Sequence, residues 1–269
     1  MSNNKKTVEL LRKLILSLFI VMLIAVEITY RMADETSFAA EYLYLSATRF
    51  IGGAVCIMFI FEFSFSKIMH VFGNKKPLAL LLVLPAFVVA VNNFPFVSFF
   101  SGDCGIAAKP EDVLIYALFC LSVGFFEEMA FRGCALMYLL KKRTDSRLGI
   151  FMAIFWSSVL FGAVHLINLT TSSPGSVFLQ LGYSALIGAL CSVVLLETGN
   201  IWLCVLLHSV YNFVGNVIPE LGYGTMWTLL QMTFTAIIAV IVTAYTVWRF
   251  FTMPISRAKA LYKNNSEKI

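Results

Sequence analysis

Charge is what this sequence has least of: only 13% of its 269 residues are Asp, Glu, Lys or Arg, about half the share of a soluble domain. With 59% of residues apolar, a water-soluble fold is excluded, because a chain of this length cannot enclose so large a core. The six cysteines form no CxxC pair, which excludes a zinc ribbon or a thioredoxin-type redox site. Five of them lie in apolar stretches and read as small packing residues, leaving Cys104 as a free thiol in a loop. There is no Gly-x-Ser-x-Gly elbow, no Cys/His protease signature and no His-Glu-x-x-His, so nothing points to a covalent nucleophile or a zincin. No internal repeat or low-complexity segment occurs, and residues 1–269 read as a single membrane domain. The net charge of +5 gives no sign of a nucleic-acid partner, because the positive residues sit at membrane edges rather than on one face.

What is present is apolar sequence in blocks of about 20 residues, the length that crosses a hydrocarbon core at 1.5 Å per residue. Eight spans are predicted, near 13–30, 43–65, 78–100, 113–140, 148–168, 177–196, 200–218 and 226–251. The expected fold class is therefore all-α, a polytopic bundle in the lipid bilayer enclosing a polar cavity, with the chemistry-bearing core at 113–218. The first apolar run is too long for the h-region of a cleavable signal peptide and is read as a span. The fourth is too long to stand perpendicular, so it should tilt or project into the cytoplasm. Pro85, Asn92, Asn93 and Pro95 predict an imperfect third helix. Ser184, Gly188 and Ser192, spaced i, i+4, i+8, offer a small-residue stripe for close approach of another helix. Trp202, Trp227 and Trp248 fall near span ends, where amphipathic rings prefer the interface.

Loop charges alternate. Lys5, Lys6, Arg12 and Lys13 precede the first span, while Arg31 stands against Asp34, Glu35 and Glu41 after it. Residues 66–77 hold Lys67, Lys75 and Lys76, and residues 101–112 set Lys109 against Asp103, Glu111 and Asp112. Residues 141–147 are strongly basic, and Arg257, Lys259, Lys263 and Lys268 follow the last span. The pattern predicts both termini in the cytoplasm, and the general character of the chain points to a bacterial cytoplasmic membrane.

Ionisable groups inside a bilayer cost several kcal/mol unless paired or facing water, so each is a functional candidate. Glu127, Glu128 and Arg132 lie in the fourth span; Glu128 and Arg132, at i, i+4, can pair, leaving Glu127 to face a cavity. Phe161-Gly-Ala-Val-His165 lies in the fifth span. His208 and Asn212 lie one turn apart in the seventh and can address one point. Each cluster alone is equally readable as glue between helices. Jointly, a carboxylate, two imidazoles and a carboxamide on three helices are the inventory for activating water and stabilising an oxyanion. Arg49 and Glu62 are about 20 Å apart along one helix and cannot pair with each other; snorkelling or pairing with other helices is expected for both.

In this order, Glu-Glu-x-x-x-Arg, Phe-x-x-x-His and His-x-x-x-Asn, the motifs of residues 127 to 212 resemble those of the CAAX-protease and bacteriocin-processing (CPBP, or Abi) family, which includes the type II CAAX prenyl endopeptidases. The resemblance implies an intramembrane endopeptidase. Glu127 with His165 would activate the hydrolytic water, His208 and Asn212 would stabilise the oxyanion, and Glu128 with Arg132 would support Glu127. It also implies a hydrophobic or membrane-associated peptide substrate, with a bacteriocin leader, a signalling-peptide precursor or a membrane-protein segment expected ahead of a prenylated CAAX peptide. No cofactor is expected; zinc is the alternative, disfavoured because Asn212 is a poor zinc ligand. The functional alternatives are a non-catalytic scaffold or bacteriocin-immunity protein on the same fold and, less so without inverted repeats, a proton-coupled carrier. One difficulty is visible in advance. On the predicted limits His165 lies near the outer end of its helix and Glu127 and His208 lie deeper, so either that span begins later or the loop at 169–176 folds back. Nothing in the sequence fixes an oligomeric state.

Overall fold

The computed structural model of the chain describes residues 37–71, 77–143 and 146–262, together with positions 7, 14, 18, 21, 22, 25 and 26. Helix α1 (Phe38–Glu62) begins at Ser37, whose hydroxyl accepts from the Ala40 N–H. A 3-10 turn (Ser66–Met69) follows, then α2 (Pro77–Asn92), a short α3 (Phe96–Ser101) and strand β1 (Cys104–Ile106). Helix α4 (Pro110–Glu128) runs on through a π-helical stretch (Met129–Leu136) into α5 (Met137–Arg143). Helix α6 (Arg147–Ala163) passes into a 3-10 segment (Val164–Thr170), and α7 (Pro174–Thr198), α8 (Ile201–Leu221), β2 (Gly222–Gly224), α9 (Leu229–Thr252) and α10 (Ile255–Tyr262) complete the order.

Among the described residues six helices are long and apolar enough to cross a membrane: Phe38–Glu62, Pro110–Arg143, Arg147–Thr170, Pro174–Thr198, Ile201–Leu221 and Leu229–Thr252. The protein is an all-α polytopic membrane protein. Of the predicted span at 13–30 only positions 14, 18, 21, 22, 25 and 26 are described, each of them helical, and the rest lies outside the described residues. The predicted span at 78–100 is shortened, and its apolar part, Leu81–Asn92, falls below spanning length. Pro95 is the physical reason: it lacks an N–H and pushes the residue before it out of the helical region, so α2 stops at Asn92 and the chain restarts as α3. The long fourth span is continuous over 34 residues, about 50 Å at helical rise, well beyond a hydrocarbon core of about 30 Å.

The two strands were not foreseen. Cys104, Gly105 and Ile106 pair antiparallel with Gly224, Tyr223 and Gly222, and the Ala107 and Ala108 N–H groups donate to the Leu221 carbonyl. This joins the start of α4 to the end of α8. Cys104, expected in a loop, is a buried free thiol of β1, packed with Tyr116, Cys120, Val217, Ile218 and Leu221.

At the opposite end the basic segments gather. Arg147 donates to the Phe251 carbonyl at 2.7 Å, Lys67 to the Ala260 carbonyl at 3.1 Å, and Asn200 to the Val71 carbonyl at 2.8 Å. Thus 66–71, 141–143, 146–147, the α7–α8 turn and α10 share one end, while the acidic 101–112 segment lies at the other with β2. Asn200 also caps α8, its side-chain oxygen accepting from the Trp202 and Leu203 N–H groups. Trp202 is turned inward, its indole N–H donating to Met69 at 2.9 Å. Arg49 stays within the bundle with its guanidinium 4.7 Å from the Phe119 ring centroid.

The basic end contains an ion cluster that the sequence reading missed. Glu197, fully buried at the end of α7, binds Arg249 of α9, whose Nε lies 3.0 Å from Oε1, and Arg257 of α10. Removing a buried carboxylate strands two guanidinium groups, a loss of about 3–5 kcal/mol. Glu197→Ala is therefore expected to lower the midpoint of thermal unfolding in detergent markedly, whereas truncating a lipid-facing side chain of α9 such as Val240, which is 70% exposed, should leave it nearly unchanged.

Candidate active site

Glu127 and Glu128 are the last two residues of α4, placed where regular helix gives way to the π-helical stretch that carries Arg132. Such i→i+5 turns are frequent at functional sites; here the turn carries Arg132, which reaches back. Its Nη1 lies 2.9 Å from Glu128 Oε1, and both side chains are fully buried. Seryl Oγ of Ser157 donates to the Phe131 carbonyl at 3.1 Å, tying the widened turn to α6. No residue pattern marks i→i+5 bonding, so this feature was invisible in the sequence.

Glu128 Oε1 is shared. His208 Nδ1, on α8, lies 2.8 Å from the same oxygen. A carboxylate only accepts, so Nδ1–H donates and the tautomer directs Nε2 away from Glu128. Nε2 then faces Glu127 Oε2 at 3.4 Å. Glu127 is the more open carboxylate, its side chain 20% exposed against none for Glu128. Arg132, Glu128, His208 and Glu127 thus form one continuous polar chain linking the α4 helix to α8. The supporting pair foreseen for Glu127 reaches it through His208.

Phe161 is the apolar partner of this chain. The Arg132 guanidinium lies 4.4 Å above its ring, an arrangement worth about 0.5–2 kcal/mol. His208 and His165 both approach the same ring edge-on, at centroid distances of 5.6 and 5.4 Å. His165 belongs to the 3-10 segment after α6, half-buried, with Nδ1 3.1 Å from the Phe161 carbonyl. Since a carbonyl only accepts, Nδ1–H donates and Nε2 is left as the acceptor nitrogen. His165 makes no hydrogen bond to Glu127 among the described residues; the two meet through Phe161 and His208. The anticipated depth conflict is resolved by neither proposed route. The span starts at Arg147, as predicted, and residues 171–173 alone connect it to α7, so no loop folds back; the shared Phe161 ring brings the histidines together.

Asn212 is half-buried one turn beyond His208, and its side chain has no hydrogen-bond partner among the described residues, while its carbonyl accepts from Asn216 Nδ2 at 2.8 Å. The structure therefore joins Glu127, Glu128, Arg132 and His208 directly, adds His165 through Phe161, and leaves Asn212 on the same face of α8 as His208. Among the described residues no three His, Cys, Asp or Glu side chains gather as metal ligands.

The small-residue stripe has a specific use at Gly188. A Cβ there would lie 2.9 Å from Arg132 Nη2, 3.2 Å from the Phe161 ring and 3.3 Å from the Ser158 Cα. Arg132 is already clamped by Glu128 and cannot yield freely. Gly188→Ala is expected to cost about 1–3 kcal/mol by overpacking, read as a lower unfolding midpoint, with Gly182→Ala, whose Cβ would meet nothing within 4 Å, as the silent control.

Residues 109–214 match the family model described as "Type II CAAX prenyl endopeptidase Rce1-like". No curated protein and no solved structure matches the chain. The matched segment covers α4 through most of α8, the stretch that contains the whole polar chain. Over that segment the chain is similar to the type II CAAX prenyl endopeptidases, the family that the motifs of residues 127 to 212 resemble.

Proposed function

We propose that the protein is an intramembrane endopeptidase that hydrolyses a peptide bond in a hydrophobic or membrane-associated substrate without a covalent enzyme intermediate. The observation that carries this reading is the buried chain Arg132–Glu128–His208–Glu127, which ends on Glu127, the more exposed of its two carboxylates. Glu127, with His165 Nε2 as a second acceptor, takes a proton from water as its oxygen attacks the carbonyl carbon. The Asn212 carboxamide, and His208 when its Nε2 also carries a proton, stabilise the oxyanion that develops. When the C–N bond breaks, the proton held by Glu127 passes to the leaving amine. Arg132 and Glu128 fix the orientation of His208, since a preorganised donor costs no rearrangement during the reaction.

A metal-free mechanism is part of the proposal: Asn212 is a poor zinc ligand, and among the described residues no three His, Cys, Asp or Glu side chains are grouped as metal ligands. The shared basic end of the bundle supports an orientation with that end, α10 included, on the cytoplasmic side of the membrane. Substrates of the kind foreseen from the sequence, leaders and precursor peptides as well as CAAX-type sequences, all meet the requirement for an apolar segment that partitions into the bilayer.

The test is cleavage of a defined pool of quenched-fluorescent peptides, half ending in a prenylated CAAX-type sequence and half hydrophobic and unprenylated, by purified protein in detergent. Glu127→Ala is expected to lower kcat/KM by about 10²–10⁴-fold, Asn212→Ala by about 10²–10³-fold, and a zinc chelator to leave wild-type cleavage intact. Cleavage abolished by chelator and restored by zinc would overturn the metal-free mechanism. Cleavage of no pool member by wild type, with Glu127→Ala complementing in cells, would overturn the peptidase reading in favour of a scaffold or immunity protein.

A further inference from the structure

Asn93 stands in the break between α2 and α3, in a segment the sequence marks only as an imperfect helix. Its Nδ2 donates to the Tyr211 carbonyl of α8 at 3.0 Å. The same nitrogen occupies the place of a side chain on Gly215: a Cβ built there would lie 1.9 Å from Nδ2, 2.7 Å from Cγ and 3.4 Å from Oδ1 of Asn93. Gly215 is therefore a seat for the Asn93 carboxamide. On a helix, His208, Asn212 and Gly215 are i, i+4 and i+7 and share one face. The seated Asn93 thus stands in line with the two proposed oxyanion donors, one turn beyond Asn212. Asn93 is half-buried, and its Oδ1 has no hydrogen-bond partner among the described residues, although its Nδ2 is anchored.

We infer that Asn93 is a substrate-positioning residue, whose Oδ1 accepts a backbone N–H of the bound peptide one or two residues from the scissile bond. The Asn212-to-Gly215 rise is about 4.5 Å, and an extended peptide advances about 3.3 Å per residue, which sets that spacing. An extended peptide offers alternating carbonyls and N–H groups, so it needs acceptors as well as donors along its path. Asn212 supplies a donor; the anchored Asn93 supplies the acceptor. Its Nδ2 bond fixes which end of the amide faces the peptide, so less orientation is lost on binding. The inference rests on the peptidase reading and extends it to substrate register.

The test uses the best-cleaved peptide of the pool in a series with single backbone amide-to-ester replacements, each removing one N–H without adding bulk, at every position except the scissile bond. In wild type one ester, one or two residues from that bond, is expected to raise KM roughly three- to tenfold, the loss of one hydrogen bond. Asn93→Ala is expected to raise KM of the all-amide peptide by a similar factor with kcat little changed, the signature of lost uniform binding. In that variant the ester penalty should vanish. Gly215→Ala, which fills the seat, should behave like Asn93→Ala, with unfolding midpoints confirming that both are folded. An ester penalty that persists in Asn93→Ala, or no near-scissile ester penalty in wild type, overturns the inference while leaving the peptidase reading intact. Cleavage of no pool member by wild type removes both. The wild-type ester series alone decides the matter if either variant fails to fold.

Discussion

One carboxylate oxygen, Oε1 of Glu128, holds the centre of this protein together. It is buried out of reach of solvent and accepts from Arg132 on its own helix and from His208 on another. An uncompensated charge at such depth would cost several kcal/mol, so the two partners must be in place for the bundle to close. The rest of the interior follows from that requirement. The π-helical turn brings Arg132 within reach, Gly188 leaves room for its guanidinium, and Phe161 covers it with a ring face. The ion pair is short-range in sequence; its third member, 80 residues away, is what makes it an element of tertiary structure.

Chemistry and architecture use different currencies in the two carboxylates. Glu128 is spent on position, since both neighbours of its Oε1 are fixed. Glu127, adjacent in sequence, is rotated about 100° by the helix, and this alone separates a structural carboxylate from one that retains exposure. Phe161 performs the corresponding division among the cations and imidazoles. It gives its face to Arg132 and holds His165 and His208 in T-shaped contacts, arrangements that the charge distribution of one aromatic ring favours.

Much of this was legible in the sequence, for identifiable reasons. The apolar runs gave the helices because spanning length and the absence of water in the hydrocarbon core leave few alternatives. The Glu128–Arg132 pair and the shared face of His208 and Asn212 follow from helical spacing within one segment. The alternation of basic loops put 66–77, 141–147 and the residues after the last span on one side, and the described parts of these segments, 66–71, 141–143, 146–147 and α10, lie at one end of the bundle. What could not be read depends on register between helices. The role of Phe161, the Glu197–Arg249–Arg257 cluster and the seat of Asn93 on Gly215 each join residues more than 25 positions apart. The strand pair was missed because three residues with two glycines on one side, Gly222, Tyr223 and Gly224, carry no alternation to recognise. The premature end of α2 was signalled by Pro95, but its extent was not, because the restart as α3 depends on the packing of Phe94, Phe96 and Phe99 against one another.

The π-helical stretch also acts as a phase shifter. A regular helix from Pro110 to Arg143 would lock the azimuth of its two ends, so that turning Glu127 toward His208 would dictate where Leu136, Met137 and Leu140 point. Wider turns between them absorb rotation, and the two halves can satisfy different neighbours: α8 on one side, and α6 and α10 on the other. A one-residue deletion within 129–136 would be felt less as a shortening than as a twist, carrying every side chain beyond it about a quarter-turn around the axis. The segment is thus intolerant of length change even where it would tolerate substitution.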